Sequence, residues 1–481
     1  MTRRASIVLG LPTALALSGC AVGPDYEQPE SSELVPKSWA GTDEADREPD
    51  LRHWWLRFGD DELTALIERS LASSLTLAEA RERIIAARAR RGIANAERVP
   101  QLDAQGSYMR TESGDEAQPF GQSPASTDGD LYSLGVVAGW ELDLWGRVAR
   151  LAEAADAEIG FATEDFRASR VVLIAEVARE VIAVRALDRD LAIVRATVET
   201  DRDALDIAAA RAAAGFADEL DVARARRDLE VNQALIPGLQ ADRRAAEFRL
   251  AVLLGAPAGT ISVAERALPV GVAVPDRGVP ADLLMRRPDL RRAERDLAAA
   301  TARVGAAEAQ RFPRVKLLGS ITLQGPDAGD AINPEAYVLQ AGPTISLPVF
   351  QGGRIDARVR QAESEQRQAL LRLRATALEA LAEVETASVR RAQAETRAHR
   401  FREAEAAARD AETLSQDRFS AGRVDFLDVT EARRARLFIE RNVLNAQRDA
   451  LLGLIDLYAS LGGGWDAPEI GQTSSASGSG A

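Results

Sequence analysis

One short motif, present twice, constrains this chain more than any other feature. R-F-S-A-G-R-V-D-F-L-D-V-T-E-A-R runs from Arg418 to Arg433, and A-G-F-A-D-E-L-D-V-A-R-A-R runs from Ala214 to Arg226. Aligned without a gap, Ala214/Ala421, Gly215/Gly422, Asp218/Asp425, Leu220/Leu427, Asp221/Asp428, Val222/Val429, Ala225/Ala432 and Arg226/Arg433 are identical. Each copy interrupts an Ala-rich, charged helical pattern that resumes behind it. Glycine permits a left-handed helix end, and the Asp three residues later can cap the next helix. Singly, each copy reads as an ordinary helix–helix turn. Repeated at one fixed offset, the two become matching turns (214–218 and 421–425) at the ends of long helical hairpins.

The stretches before the turns fit that reading. No Gly or Pro occurs from Phe161 to Ala214, nor from Arg354 to Ala421. At about 1.5 Å per residue the second stretch extends roughly 100 Å as a helix. Leu370, Leu373, Ala377, Ala380, Val384 and Ala387 follow 3-4 spacing, a coiled-coil seam narrow enough for close packing. Taken alone, such helices would also suit a solvated spacer. The returning helices are expected at Asp218–Leu254, broken at Pro237-Gly238, and at Asp425–Leu461.

Composition removes several function classes. Aromatics are only 5 % of 481 residues, which suits long helices better than a compact α/β enzyme. A net charge of −14 with no basic tract argues against nucleic acid. The only histidines are His53 and His399 and the only cysteine is Cys20, so no zinc, thiol or His-based nucleophilic site and no internal disulfide is expected. No cofactor is implied. With three Met and two His, a Met/His-lined route for soft metals is not expected.

The beginning of the chain reads as a secretion signal over residues 1–19, with Arg3 and Arg4 before an apolar run too short to span a bilayer. L-S-G-C (Leu17–Cys20) has the pattern of a lipobox. Cleavage there would leave an acylated Cys20, and Ala21 in place of the Asp that retains many lipoproteins at the inner membrane makes the outer membrane the expected address, by resemblance to lipoproteins generally. Residues 20–59 are expected to be largely extended. W-W-L-R-F-G-D-D-E-L then opens a helix, with Asp60 or Asp61 as its cap, in a pattern that runs on to Glu97.

A second repeat lies upstream of the turns. Leu77/Leu290, Ala80/Ala293, Arg90/Arg303, Gly92/Gly305, Arg98/Arg311 and Pro100/Pro313 coincide at one offset. The chain therefore reads as a duplication, residues 60–255 and 282–465, joined by a Pro/Gly-rich linker (256–281) and followed by a disordered tail (466–481). After each matched proline the period changes to alternation. Tyr132, Leu134, Val136, Ala138, Trp140 and Leu142 share one face, and Ser133, Gly135, Gly139 and Glu141 the other, with Val137 the exception; the partner strands alternate more weakly. Strands are expected at about 101–110, 131–142, 315–324 and 336–347, with Pro343 and Pro348 blurring the last. One apolar and one wet face suit a transmembrane barrel. Four strands cannot enclose a wet lumen, and open edges cannot face lipid, so several copies must share one barrel.

C-A-V-G-P-D-Y at Cys20–Tyr26, L-L-M-R-R-P-D-L at Leu283–Leu290 and A-E-A-Q-R-F-P at Ala307–Pro313 resemble the TolC-like outer-membrane factors of tripartite efflux systems, in the lipoprotein branch often called NodT-type. I-S-L-P-V-F-Q-G-G-R at Ile345–Arg354 and L-G-G-G-W at Leu461–Trp465 extend the resemblance over nearly the whole mature chain. It implies a mainly α fold with a membrane β-barrel part: a homotrimer with a shared 12-stranded barrel and a periplasmic helical tunnel. It further implies a periplasmic adaptor and an inner-membrane pump, commonly of the resistance-nodulation-division class, with small molecules such as drugs as cargo. Carried over by position, Leu427 would form an apolar gate, and Asp425, Asp428 or Glu431 acidic rings, Glu431 matching in type only. Asp425 as a plain helix cap stays open beside this. Gly215, Phe216, Gly422 and Arg423 would meet the adaptor, while Arg211 and Arg418 would tie neighbouring helices. Peptide secretion, or a lipid-anchored scaffold without a pore, are the competing readings.

Overall fold

The computed structural model describes residues 21–40, 51–112, 129–216 and 218–465. The expected signal peptide, the acylated Cys20, most of the first hairpin loop and the tail at 466–481 lie outside them. Within the described residues the helices are α1 (Ser31–Leu34), α2 (Asp61–Ser73), α3 (Leu75–Ala96), α4 (Arg147–Ala213), α5 (Glu219–Gln233), α6 (Leu235–Leu253), α7 (Asp282–Arg286), α8 (Pro288–Glu308), α9 (Arg354–Ser420) and α10 (Phe426–Ser460). Four strands complete them: β1 (Gln101–Thr111), β2 (Gly129–Leu142), β3 (Arg314–Gly325) and β4 (Tyr337–Ser346). No described helix is long and apolar enough to cross a membrane. Two compact units emerge. One contains residues 84–162 and 293–373 with the stretch before Pro29, and the other contains the rest.

The first unit holds the sheet, ordered β1-β2-β3-β4 and antiparallel throughout. Its register extends the alternation seen in β2 to all four strands. Leu102 lies opposite Ala138, Ala138 opposite Gly319, and Gly319 opposite Ala341. Directly opposed residues share a face. One face therefore carries Leu102, Leu134, Val136, Leu317, Ile321, Leu339 and Ile345, with Tyr108, Tyr132 and Tyr337 toward the hairpin loops and Trp140 toward the base. The other is mainly polar, carrying Asp103, Gln105, Ser107, Ser133, Glu141, Lys316, Ser320, Thr322, Gln340 and Thr344, with Met109, Leu131, Val137, Leu318 and Val338 as apolar exceptions. Pro343 is accommodated because β4 is an edge strand, and Pro348 falls beyond its end.

Below the sheet, Trp145 stacks on Phe312 with ring centroids 4.8 Å apart and donates to the Pro313 carbonyl at 2.8 Å. The start of the described chain is fastened beside it. The Val22 amide donates to the Trp145 carbonyl at 3.2 Å. Arg150 donates to the carbonyls of Val22 and Gly23, both at 3.3 Å, and to Asp25 at 2.6 Å. Tyr26 donates to Glu294 at 3.1 Å. Gly23 has a φ of +89°, and a Cβ built on it would stand 2.4 Å from the Gly305 Cα, so two glycines allow backbone to touch backbone.

The second unit is helical. Asp60 caps α2 by accepting from the amides of Glu62 and Leu63, and its carboxylate also meets the buried Arg185. Trp54 is buried and stacks on Tyr458 at 5.0 Å. Its surroundings correct the extended reading of residues 20–59: Trp54–Phe58 forms a 3-10 turn and α1 a helical one, because burial of Leu34, Trp54, Trp55 and Phe58 decides the local backbone. The expected unbroken helix to Glu97 divides at Ser74. There the Ser70 and Ser73 hydroxyls bond the Ile67 and Arg69 carbonyls in competition with the helix ladder, and Ser73 also reaches the Leu254 carbonyl. The break expected at Pro237 lies at Ala234 instead. Proline is tolerated in a first turn but cannot donate to, and crowds, the carbonyl four residues before it, so the interruption precedes the ring. Along α9 the seam is buried as expected, except that Ala369 lies inward and Leu370 is half-buried.

Candidate functional site at the paired turns

Both copies of the duplicated motif close a 67-residue helix, α4 or α9, in the same way. Gly215 and Gly422 have φ of +78° and +69°. The Phe216 amide donates to the Arg211 carbonyl at 2.8 Å, and the Arg423 amide to the Arg418 carbonyl at 2.9 Å. These six-to-one bonds with a left-handed glycine are Schellman ends, which satisfy carbonyls that the helix leaves open. Asp218 then caps α5, its carboxylate accepting from the Leu220 amide at 3.3 Å. At the second turn Asp425 and Asp428 form a capping box in front of α10, with the Asp425 amide donating to Asp428 Oδ2 at 3.1 Å. Phe419 and Phe426 pack edge to face across that turn at 5.3 Å.

The two turns are tied together. Arg211, in the last turn of α4, donates to Asp425 Oδ1 at 2.8 Å. Arg418, the matching residue of α9, has no ion-pair partner among the described residues. The three acids that sequence treats alike are therefore unlike. Asp425 is held by Arg211 and Asp428 by the backbone of the turn, while the Glu431 carboxylate has no partner among the described residues. Leu427 and Glu431, one helical turn apart, are exposed on one face of α10. Gly215, Phe216, Gly422 and Arg423 are exposed at the turns.

Behind the turns lies a knot that sequence reasoning missed. Arg434 donates to Asp201 of α4 at 2.6 Å and to Asp228 of α5 at 3.1 Å, and Asn232 also donates to Asp201, at 2.7 Å. The Asp201 side chain is 0 % exposed. On the other side Arg433 and Arg436 clasp Glu412 of α9 at 2.9 and 2.5 Å. Burial pushes the Glu412 carboxyl up, but these two guanidiniums outweigh it and hold it below its ordinary value. Farther along, Arg441 pairs with Asp190 at 2.6 Å and Arg189 with Glu440. The one available signal was the duplication, since Arg227 corresponds to Arg434. That correspondence misleads, because Arg227 is exposed and, among the described residues, pairs only with the adjacent Asp228. Among the described residues no cluster of His, Cys, Asp and Glu could hold a metal.

Comparison with known proteins places these features in context. Residues 66–256 and 279–463 match a family model described as outer membrane efflux protein. Nodulation protein T of Rhizobium leguminosarum bv. trifolii is 32% identical over 461 residues, covering 94% of this chain and 96% of that protein. The solvent efflux pump outer membrane protein SrpC of Pseudomonas putida is 31% identical, covering 95% of this chain and 97% of that protein. Among solved structures, the outer-membrane channel OprN superposes with a TM-score of 0.84 at 33% identity, covering 93% of this chain and 100% of that one.

Proposed function

This chain belongs to the outer membrane efflux protein family, and from that premise we propose that three copies form the passive exit duct of a tripartite efflux pump, closed at rest by the second of the paired turns. The family is one of outer-membrane channels that reach into the periplasm, not of enzymes. The observation that carries the proposal is the two-faced sheet. A largely apolar face and a mainly polar face on a four-stranded sheet with two open edges suit a membrane wall lining water, whereas a tether needs neither. Three copies supply twelve strands, an even number that closes without an edge. An acylated Cys20 adds an anchor in the same membrane.

Leu427 and Glu431 are the gate in this reading. Among the described residues Leu427 is exposed and the Glu431 carboxylate has no hydrogen-bond or ion-pair partner, while Asp425 and Asp428 hold the turn's shape. Three Glu431 carboxylates around one narrow passage favour cations. Gly215, Phe216, Gly422 and Arg423 receive a periplasmic adaptor, which couples the duct to an inner-membrane pump of the resistance-nodulation-division class. Small organic molecules are the cargo. In cells producing Leu427→Ala at normal levels, sensitivity to antibiotics too large for general porins is expected to rise. Unchanged sensitivity would remove Leu427 from the gate.

A further inference from the structure

We infer that Leu347–Phe350 is an intersubunit latch, seated on the α3/β1 junction of the next copy of this chain. The inference rests on the shared-barrel reading above and adds the contact that locks its seams. β1 and β4 are the two edges of the sheet, and an edge carrying unpaired amides and carbonyls cannot face lipid. They run in opposite directions, so β4 of one copy can continue the antiparallel order onto β1 of the next. The register also sets their level. Gln101, the first residue of β1, lies opposite Gly139, and Ser346, the last residue of β4, lies opposite Arg314, which follows directly on Pro313 at the base. Both edges therefore reach the base of the sheet at the end where the helices begin. Joining them brings the chain just before β1 alongside the chain just after β4.

Both of these flanks expose apolar side chains. After β4, Val349 is 89 % and Phe350 90 % exposed, with Ile345 and Leu347 also open. Before and within β1, Ile93 is 69 % and Val99 56 % exposed, with Leu102 open as well. The projecting segment is shaped rather than slack. Pro348 fixes its φ. Gly352 and Gly353, with φ of +58° and +78°, turn the chain into α9, and the Arg354 amide closes the turn on the Gln351 carbonyl at 3.1 Å. A phenylalanine held clear of its own chain, level with an unpartnered apolar strip on the opposite edge, fits a ring in which each copy grips the next.

The test uses paired cysteines in the full-length, membrane-inserted protein. Val99→Cys with Phe350→Cys, and independently Leu102→Cys with Leu347→Cys, are oxidised in intact membranes. Boiled, non-reducing gels are expected to show reductant-sensitive species up to the trimer for at least one pair, and none for any single variant or for the parent chain with Cys20 alone. A trimer on unboiled gels with no link from either pair overturns the latch while leaving the shared barrel standing. Links from a single variant overturn it in favour of a symmetric contact. Labelling of Phe350→Cys by a lipid-phase maleimide assigns the segment to the bilayer and also overturns it. Absence of any oligomer on unboiled gels removes the shared barrel and the latch together.

Discussion

Gly23→Ala attacks the contact that fastens the start of the described chain below the sheet. Two costs add. A non-glycine residue at a φ of +89° is strained by about 1–2 kcal/mol. The new Cβ would sit 2.4 Å from the Gly305 Cα, a backbone atom that no side-chain rotation can move aside. Overpacking of this kind costs about 1–3 kcal/mol. Together they approach about 2–5 kcal/mol, comparable with what the strap's bonds to Trp145, Arg150 and Glu294 supply at about 0.5–3 kcal/mol each. At 1.4 kcal/mol per tenfold, exchange of the Val22 amide, which donates to the Trp145 carbonyl, should accelerate by about 30-fold to a few thousand-fold. Hydrogen exchange read by mass spectrometry measures it directly. Gly305→Ala provides the complementary attack without a positive φ, since its Cβ would meet Arg150 Nε and the Val22 carbonyl oxygen at 2.9 Å. Full protection of the Val22 amide in Gly23→Ala would refute the close-approach argument. Loss in Gly23→Ala with none in Gly305→Ala would mean that strain, not contact, governs the strap.

The duplicated arginines should behave very differently. Arg434→Met strands Asp201 in a buried site and should cost about 3–5 kcal/mol of local stability, whereas Arg227→Met at the matching exposed position should cost about 0–1 kcal/mol. Exchange rates along α10 and α5 compare the two, and equal effects would dissolve the knot as described. Glu412 supplies a pH dependence. Its carboxyl is held below the ordinary value of 4.5, so its contribution is fully present above that pH and disappears as pH falls through the lower folded value. Exchange protection near Arg433 and Arg436 should therefore weaken in acid in the parent chain. Glu412→Gln should be weaker already at neutral pH and show less of the acid decline.

The elements legible in sequence are those whose cause is local. Left-handed glycines followed by a capping Asp mark both turns, and alternation marks β2, because turn chemistry and side-chain direction depend on a few consecutive residues. The helix breaks were misplaced where a serine hydroxyl or a proline ring acts on carbonyls several residues away, as at Ser74 and Ala234.

What sequence determined by itself is that two matching helical hairpins, each with a two-faced pair of strands, carry the same turn. What only the tertiary structure decided is how the copies differ. Asp425 is bound by Arg211, Asp428 by its own turn and Glu431 by nothing in the described chain; Arg434 reaches a buried Asp201 while Arg227 stays outside. With 28% of the chain charged, many carboxylates on these helices have more than one arginine within one or two turns. Which pair forms depends on which helix lies alongside, and that is set by packing between segments hundreds of residues apart.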